Sequence, residues 1–598
     1  MQVPLRIEGY APIREYAAIG DGRTVALIAR DGSIDWLCLP DLDSPSVLGA
    51  LIDSERGGRF VLEPEIPYEA TRRYVPETNV VETTFATSAG RVCLTDAMTL
   101  PEEGLSPYRE LVRHVEGLAG TVPLRWRVEP RFGYAARKTQ IERRDGVPAA
   151  VSGRDALAVC SWDAGEPECT EEAISGRFTI GEGGSSLLAL SAAHQEPLVL
   201  PSRAEAESRL RATARSWREW AGARDYGGPW REAVIRSALA LKLLVHAPSG
   251  AIAAAATTSL PEEIGGERNW DYRFCWPRDA AFALQALLAL GCAPEARAFF
   301  SWILHASRLT HPRVQVLYRL DGRAEADEQP LPLGGYLGSR PVRVGNRAAG
   351  QTQLDVYGEL LGAASRLASS TGGLDRDHGR HLAEIADFVC ESWEQPDAGI
   401  WETRGEPAQF IQSKMMCAVA LMRACELAER GLVPVKHGER WRREQKAIRD
   451  FVEARGYSET AQSYVRGVGE ERVDASLLLG VLAGYDRPRS PRLLGTVDAV
   501  RRDLGRGPLL HRYLGEDGLA GEEGAFVACS FWLVEAYARQ GRLDEAVTLM
   551  DELVPLANDV GLFAEEIDPS TGEFLGNFPQ GLSHLALINA AVSIQDAR

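Results

Sequence analysis

The chain has 598 residues, too many for one hydrophobic core, and its 45% hydrophobic and 25% charged content is that of an ordinary globular protein. A formal charge of −18 argues against nucleic acid or an anionic membrane as the main partner, since both need a basic footprint. The N-terminus lacks the basic start and apolar core of a secretory signal, and no window approaches ~18 uninterrupted apolar residues.

The ten cysteines include no C-x-x-C pair, and most sit among apolar helical residues. They read as reduced core thiols of a cytoplasmic protein, with no clustered metal ligands.

In chain order, residues 1–202 read as strands. "TVALIARDGSIDWLCLP" is an apolar run, a D-G turn, then alternation; "NVVETTFATSAGRVCLTDAM" and "RFTIGEGGSSLLALSAA" repeat that form. This spacing predicts an N-terminal antiparallel β-sandwich. Residues 203–228 switch to helical period and read as a linker helix.

From 229 to 598 the chain reads as almost wholly helical. Twelve candidate helices start near Trp230, Arg278, Ala293, Thr352, Arg380, Ser413, Glu439, Asp474, Pro491, Gly524, Leu543 and Pro579. Links after even-numbered helices are short, whereas links after odd-numbered ones run to roughly 17–43 residues. Six helical hairpins closed into a ring, an all-α (α/α)6 barrel, place all the long links at one end.

That end collects Trp270, Tyr272, Trp276, Trp401 and Tyr513 with carboxylates and arginines. Aromatic plates suit the apolar faces of sugar rings, and Asp, Arg and Gln suit their hydroxyls, so a neutral carbohydrate is the expected ligand. Each segment alone also fits a structural role: Arg278 and Asp279 as a helix start, "AEEID" as a solvated acidic loop. Their joint placement favours function.

Cleavage of a glycosidic bond needs a proton donor on one side of the sugar and a second carboxylate on the other. The donor requires a shielded setting, which Glu402 behind Trp401 offers in "GIWETRGEP". The base must stay ionised, which suits Glu565, with Glu566 beside it, in a polar loop.

"RNWDYRFCWPRDA", "GIWETRGEP", "EGAFVACSFWLVEA" and "EEIDPSTGEFLGNFPQGLSHLALINAA" resemble the conserved blocks of glycoside hydrolase family 15, over nearly the whole chain. The resemblance implies a β-sandwich, a linker and an (α/α)6 barrel, and an inverting mechanism that needs no metal and no organic cofactor. It places the general acid on Glu402, the general base on Glu565, and the pair that holds the non-reducing glucose on Arg278 and Asp279. A substrate arginine falls on Arg512, and the aromatic walls include Trp276 and Trp401.

The expected substrate is an α-glucoside, with trehalose first because "TTSLPEEIGGERNWDYR", "SRPVRVGN" and "AGEEGAF" resemble the trehalase-type branch. A glucoamylase or an isomaltose- or dextran-acting hydrolase stays open, as do a disaccharide phosphorylase and a sugar-binding protein without catalysis. Pro277, Ala418 and Met422 depart from the family pattern and are expected to bear on the aglycone side.

Overall fold

A computed structural model of the protein describes residues 5–101, 109–515, 519 and 521–598. Its N-terminal part is built on one long strand, Arg109–Val128, that belongs to two antiparallel sheets. Residues 121–128 lie between Phe60–Pro64 and Ile174–Gly181, while residues 109–120 lie between Gly90–Met98 and Ser185–His194. At the crossing into the first sheet, Trp126 faces Gly176, where any side chain would meet the indole ring at 2.7 Å.

Strands such as Val81–Thr87 alternate buried and half-exposed residues, as a sheet with one wet face requires. Tyr16–Gly20, Val25–Ala29 and Ile34–Cys38 are buried on both faces. This explains their unbroken apolar runs, because the barrel covers the outer face. Trp36 donates its indole N–H to the Ala256 carbonyl at 2.9 Å, and Asn79 reaches the Leu239 carbonyl at 3.0 Å.

Helix α1 (Arg203–Gly222) starts with a capping box between Ser202 and Glu205 and is tied to the sheet by a buried Arg209–Glu110 pair. Twelve helices follow among the described residues. They are α2 (Arg231–Leu244), α3 (Ala280–Ala289), α4 (Ala293–Arg308), α5 (Val356–Thr371), α6 (Arg376–Ser392) and α7 (Ile411–Glu429), then α8 (Gly438–Arg455), α9 (Leu479–Leu482), α10 (Pro491–Leu504), α11 (Val527–Arg539), α12 (Leu543–Leu553) and α13 (Gly581–Ala597). Helices α3, α5, α7, α9, α11 and α13 touch in sequence and α13 returns to α3, which closes an inner ring.

Inner helices such as α11 and α13 are buried on nearly every face, as their unbroken apolar composition dictates. The outer α6 and α8 are amphipathic. The helix expected near Asp474 is only a 3-10 turn, Ala475–Leu478, followed by the single α-turn of α9.

Every inner helix begins at the end of the barrel that carries the long links. Short strands stiffen those links. Ala525–Phe526, Glu566–Ile567 and Phe574–Leu575 form a small sheet that fixes the segment with the expected base. Of the link between α10 and α11, residues 516–518 and 520 lie outside the described residues.

Candidate active site

At the start of α3, the 3-10 turn Pro277–Asp279 brings Arg278 and Asp279 to the barrel axis. Arg278 Nε donates to Asp279 Oδ1 at 3.0 Å, and its Nη1 donates to the Ile400 carbonyl at 2.7 Å and to Glu402 Oε1 at 3.0 Å. Trp276 Nε1 donates to the same Glu402 oxygen at 2.7 Å. Glu402 has a positive φ of 57°, a conformation that costs of order 1–3 kcal/mol in a non-glycine residue and that the surrounding bonds hold in place. Among the described residues no protein donor reaches Glu402 Oε2.

The setting of Glu402 differs from the one expected. Trp401 turns its indole N–H to Asp474, at 2.8 and 3.0 Å from its two oxygens, and stacks on Trp532. The indole that touches Glu402 is Trp276, and a guanidinium lies on the same oxygen. Sequence spacing cannot show this, because residue 276 lies on a different link.

Glu565 also departs from expectation. It is buried, not solvated, and burial followed by the charge of Glu262 holds its carboxyl well above the usual range. Arg512, the Asn577 amide at 3.3 Å and the Tyr272 hydroxyl oppose that shift.

Glu402, Glu565, Arg278, Asp279, Trp276, Trp401 and Arg512 line one inner compartment of ≈ 40 Å³. Tyr272, one of the aromatics expected at this end, shares the walls with Phe526, Trp532 and Gln580, which lie inside the quoted motifs but were not singled out as site residues. The compartment opens through Tyr272, Trp401, Glu402 and Arg512 into an outer chamber of ≈ 480 Å³, walled by links 346–352 and 396–407 and by Arg512, Tyr513, Leu519 and Glu523.

Glu566 is a correction. It lines neither compartment, being fully buried on the opposite side of its strand from Glu565, where it accepts the Gly524 amide at 2.9 Å and backs Arg512 at 3.6 Å. Arg512 is held by Glu523 at 2.7 Å and Glu262 at 3.2 Å, and lies 5.5 Å from the Trp401 ring and 5.1 Å from Phe526. Glu566 therefore meets the compartment only by way of Arg512.

Ala418 and Met422 lie on α7 away from both compartments, so they do not shape an aglycone pocket directly. The "PDLDSPS" loop, residues 40–46, lines neither compartment. Its Asp43 pairs with Arg319 and its Ser44 carbonyl accepts from Arg273, so it buttresses the barrel from outside.

Residues 228–592 match glycosyl hydrolases family 15, and residues 5–162 match the trehalase-like N-terminal family. This chain belongs to glycosyl hydrolase family 15. It is a glycoside hydrolase with an antiparallel sheet domain followed by an α/α barrel. It is 38% identical to a trehalase from Mycolicibacterium smegmatis over 98% of this chain and 91% of that protein. It is 34% identical to a trehalase from Thermoplasma volcanium over 99% and 95%.

A bacterial glucoamylase crystallised with acarbose superposes with a TM-score of 0.70 at 15% identity, over 100% of this chain and 96% of that one, which shows the shared fold of the family. Among the described residues no helix is long and apolar enough to cross a membrane.

Proposed function

We propose that this family 15 hydrolase is an inverting, exo-acting α-glucosidase whose substrate is α,α-trehalose. The observation that carries the reaction is the meeting of Glu402 and Glu565 on the walls of one small compartment, beside Arg278 and Asp279 and between aromatic plates. The names of the two full-length relatives carry the choice of trehalose.

Arg278 and Asp279 hold one glucose unit at the inner compartment, and the second sits in the outer chamber against Trp401 and Arg512. Glu402 Oε1 is occupied by two N–H donors, so the transferable proton sits on Oε2 and passes to the glycosidic oxygen as the C1–O bond breaks. A water on the far face of the ring bonds C1 and gives its proton to Glu565. A base raised towards the working pH is a stronger base, so the buried setting of Glu565 suits this role. The proposed steps draw on no metal or organic cofactor.

Phosphorolysis needs only one carboxylic acid, and the second acid here favours water as the nucleophile. The free, mostly buried thiols fit a cytoplasmic enzyme. Glucose release measured from trehalose, maltose, isomaltose and dextran tests the reading. Trehalose is expected to be turned over fastest, and release from maltose or isomaltose but not from trehalose would replace it with the glucoamylase- or isomaltose-type alternative.

A further inference from the structure

No set of metal ligands is clustered along the sequence, yet the fold gathers one on the outer wall of the barrel, away from the catalytic compartments. His311 follows the C-terminus of α4, and His381 and Glu384 lie one turn apart on α6. One ligand atom from each lies within 4.8 Å of the other two. His311 Nε2 is 3.5 Å, and His381 Nδ1 4.0 Å, from Glu384 Oε2. We propose that His311, His381 and Glu384 form a binding site for a transition-metal dication, with Zn²⁺ as the best fit.

The chemistry of the donor set supports this. Two imidazoles and one carboxylate, with water as a fourth ligand, are a common zinc coordination. Tetrahedral ligands about 2.0–2.1 Å from zinc stand about 3.3 Å from one another, so only small side-chain adjustments are needed. Ser307 can fix the tautomer of His381 that ligation needs. Ser307 Oγ lies 3.1 Å from the Leu304 carbonyl and 2.9 Å from His381 Nε2; with its proton on the Leu304 carbonyl, its oxygen accepts from His381 Nε2–H. In that arrangement the lone pair of His381 is on Nδ1, the atom 4.0 Å from Glu384 Oε2. Ligating histidines are commonly fixed in this way through their other nitrogen.

A metal here would brace a link that reaches the active site. His311 opens the long link from α4 to α5, and Arg313, two residues on, donates to the Gln351 carbonyl. Gln351 lines the outer chamber. The site would therefore pin the root of a chamber wall to α6. Without metal, His311 and Glu384 make an exposed contact of small consequence.

The test is titration of the full-length protein with Zn²⁺ by calorimetry, followed by Co²⁺ as a spectroscopic probe. Wild type is expected to bind one Zn²⁺ per chain, at least tenfold more tightly than either His311→Ala or Glu384→Gln; both positions are exposed, so both variants should fold. Bound Co²⁺ should show visible ligand-field bands without the intense near-ultraviolet band of a thiolate ligand. Equal Zn²⁺ affinity in wild type and both variants, a thiolate band, or no Zn²⁺ binding at all would overturn the proposal. None of these readouts involves a sugar, so they stand apart from the trehalose assignment.

Discussion

Arg278 holds Glu402 by a single oxygen. Its Nη1 is 3.0 Å from Glu402 Oε1, the atom that Trp276 Nε1 also reaches at 2.7 Å, and this leaves Oε2 to the compartment. A carboxyl gripped on one oxygen presents the other in a fixed direction, which is the preorganisation a proton donor needs.

Loss of that grip should be visible in kinetics. A hydrogen bond to a charged group is worth about 1.5–3 kcal/mol, so Arg278→Lys, which cannot reproduce the fork to Asp279 and Glu402, is expected to lower kcat/KM roughly 10–150-fold. Steady-state assays, with far-ultraviolet circular dichroism to check folding, measure this. An unchanged kcat/KM would show that Arg278 does not position Glu402.

The two acids should separate by leaving group. On trehalose, Glu402→Gln and Glu565→Gln are each expected to lower kcat by roughly 10²–10⁴. On α-glucosyl fluoride, whose leaving group needs no proton, Glu402→Gln should recover most of its activity while Glu565→Gln should not. Recovery by Glu565→Gln instead would exchange the two roles.

The acid limb of the pH profile should report Glu565. Burial and then Glu262 push its carboxyl up, and a base works only when ionised, so kcat/KM is expected to fall as pH drops through that raised value. Glu262→Gln removes a negative neighbour, which lowers the pKa of Glu565. The acid limb should therefore move to lower pH, and a shift to higher pH or none would contradict the assignment.

Trp532 links the site to the core. It is 1% exposed and stacks on Phe282 at 5.5 Å and on Trp401 at 6.1 Å. Trp532→Ala is expected to cost about 3–5 kcal/mol in urea unfolding, with part of the loss restored in Trp532→Phe. A cost under about 1 kcal/mol would mean that the indole does not support the wall formed by Trp401.

Much of this architecture was legible in the sequence because it rests on period and punctuation. The twelve helix starts and the alternation of short and long links follow from local patterning. The stretch at Asp474 was overestimated, since its apolar run holds only one 3-10 turn and one α-turn.

The site was legible as a set of motifs but not as a set of environments. Which indole touches Glu402, and the burial of Glu565, depend on contacts between links more than a hundred residues apart. Glu566 was misplaced for a local reason: neighbours on a strand face opposite ways, so only one of the two glutamates can enter the compartment. His311, His381 and Glu384 escaped because their meeting is a product of helix packing.

The most direct test of the account is the anomeric form of glucose released at early times from trehalose, followed by proton NMR. Attack by water opposite the departing sugar gives equal amounts of β- and α-glucose from each molecule cleaved. Release of α-glucose alone would mean that a covalent intermediate forms and that Glu402 and Glu565 do not work across a single water.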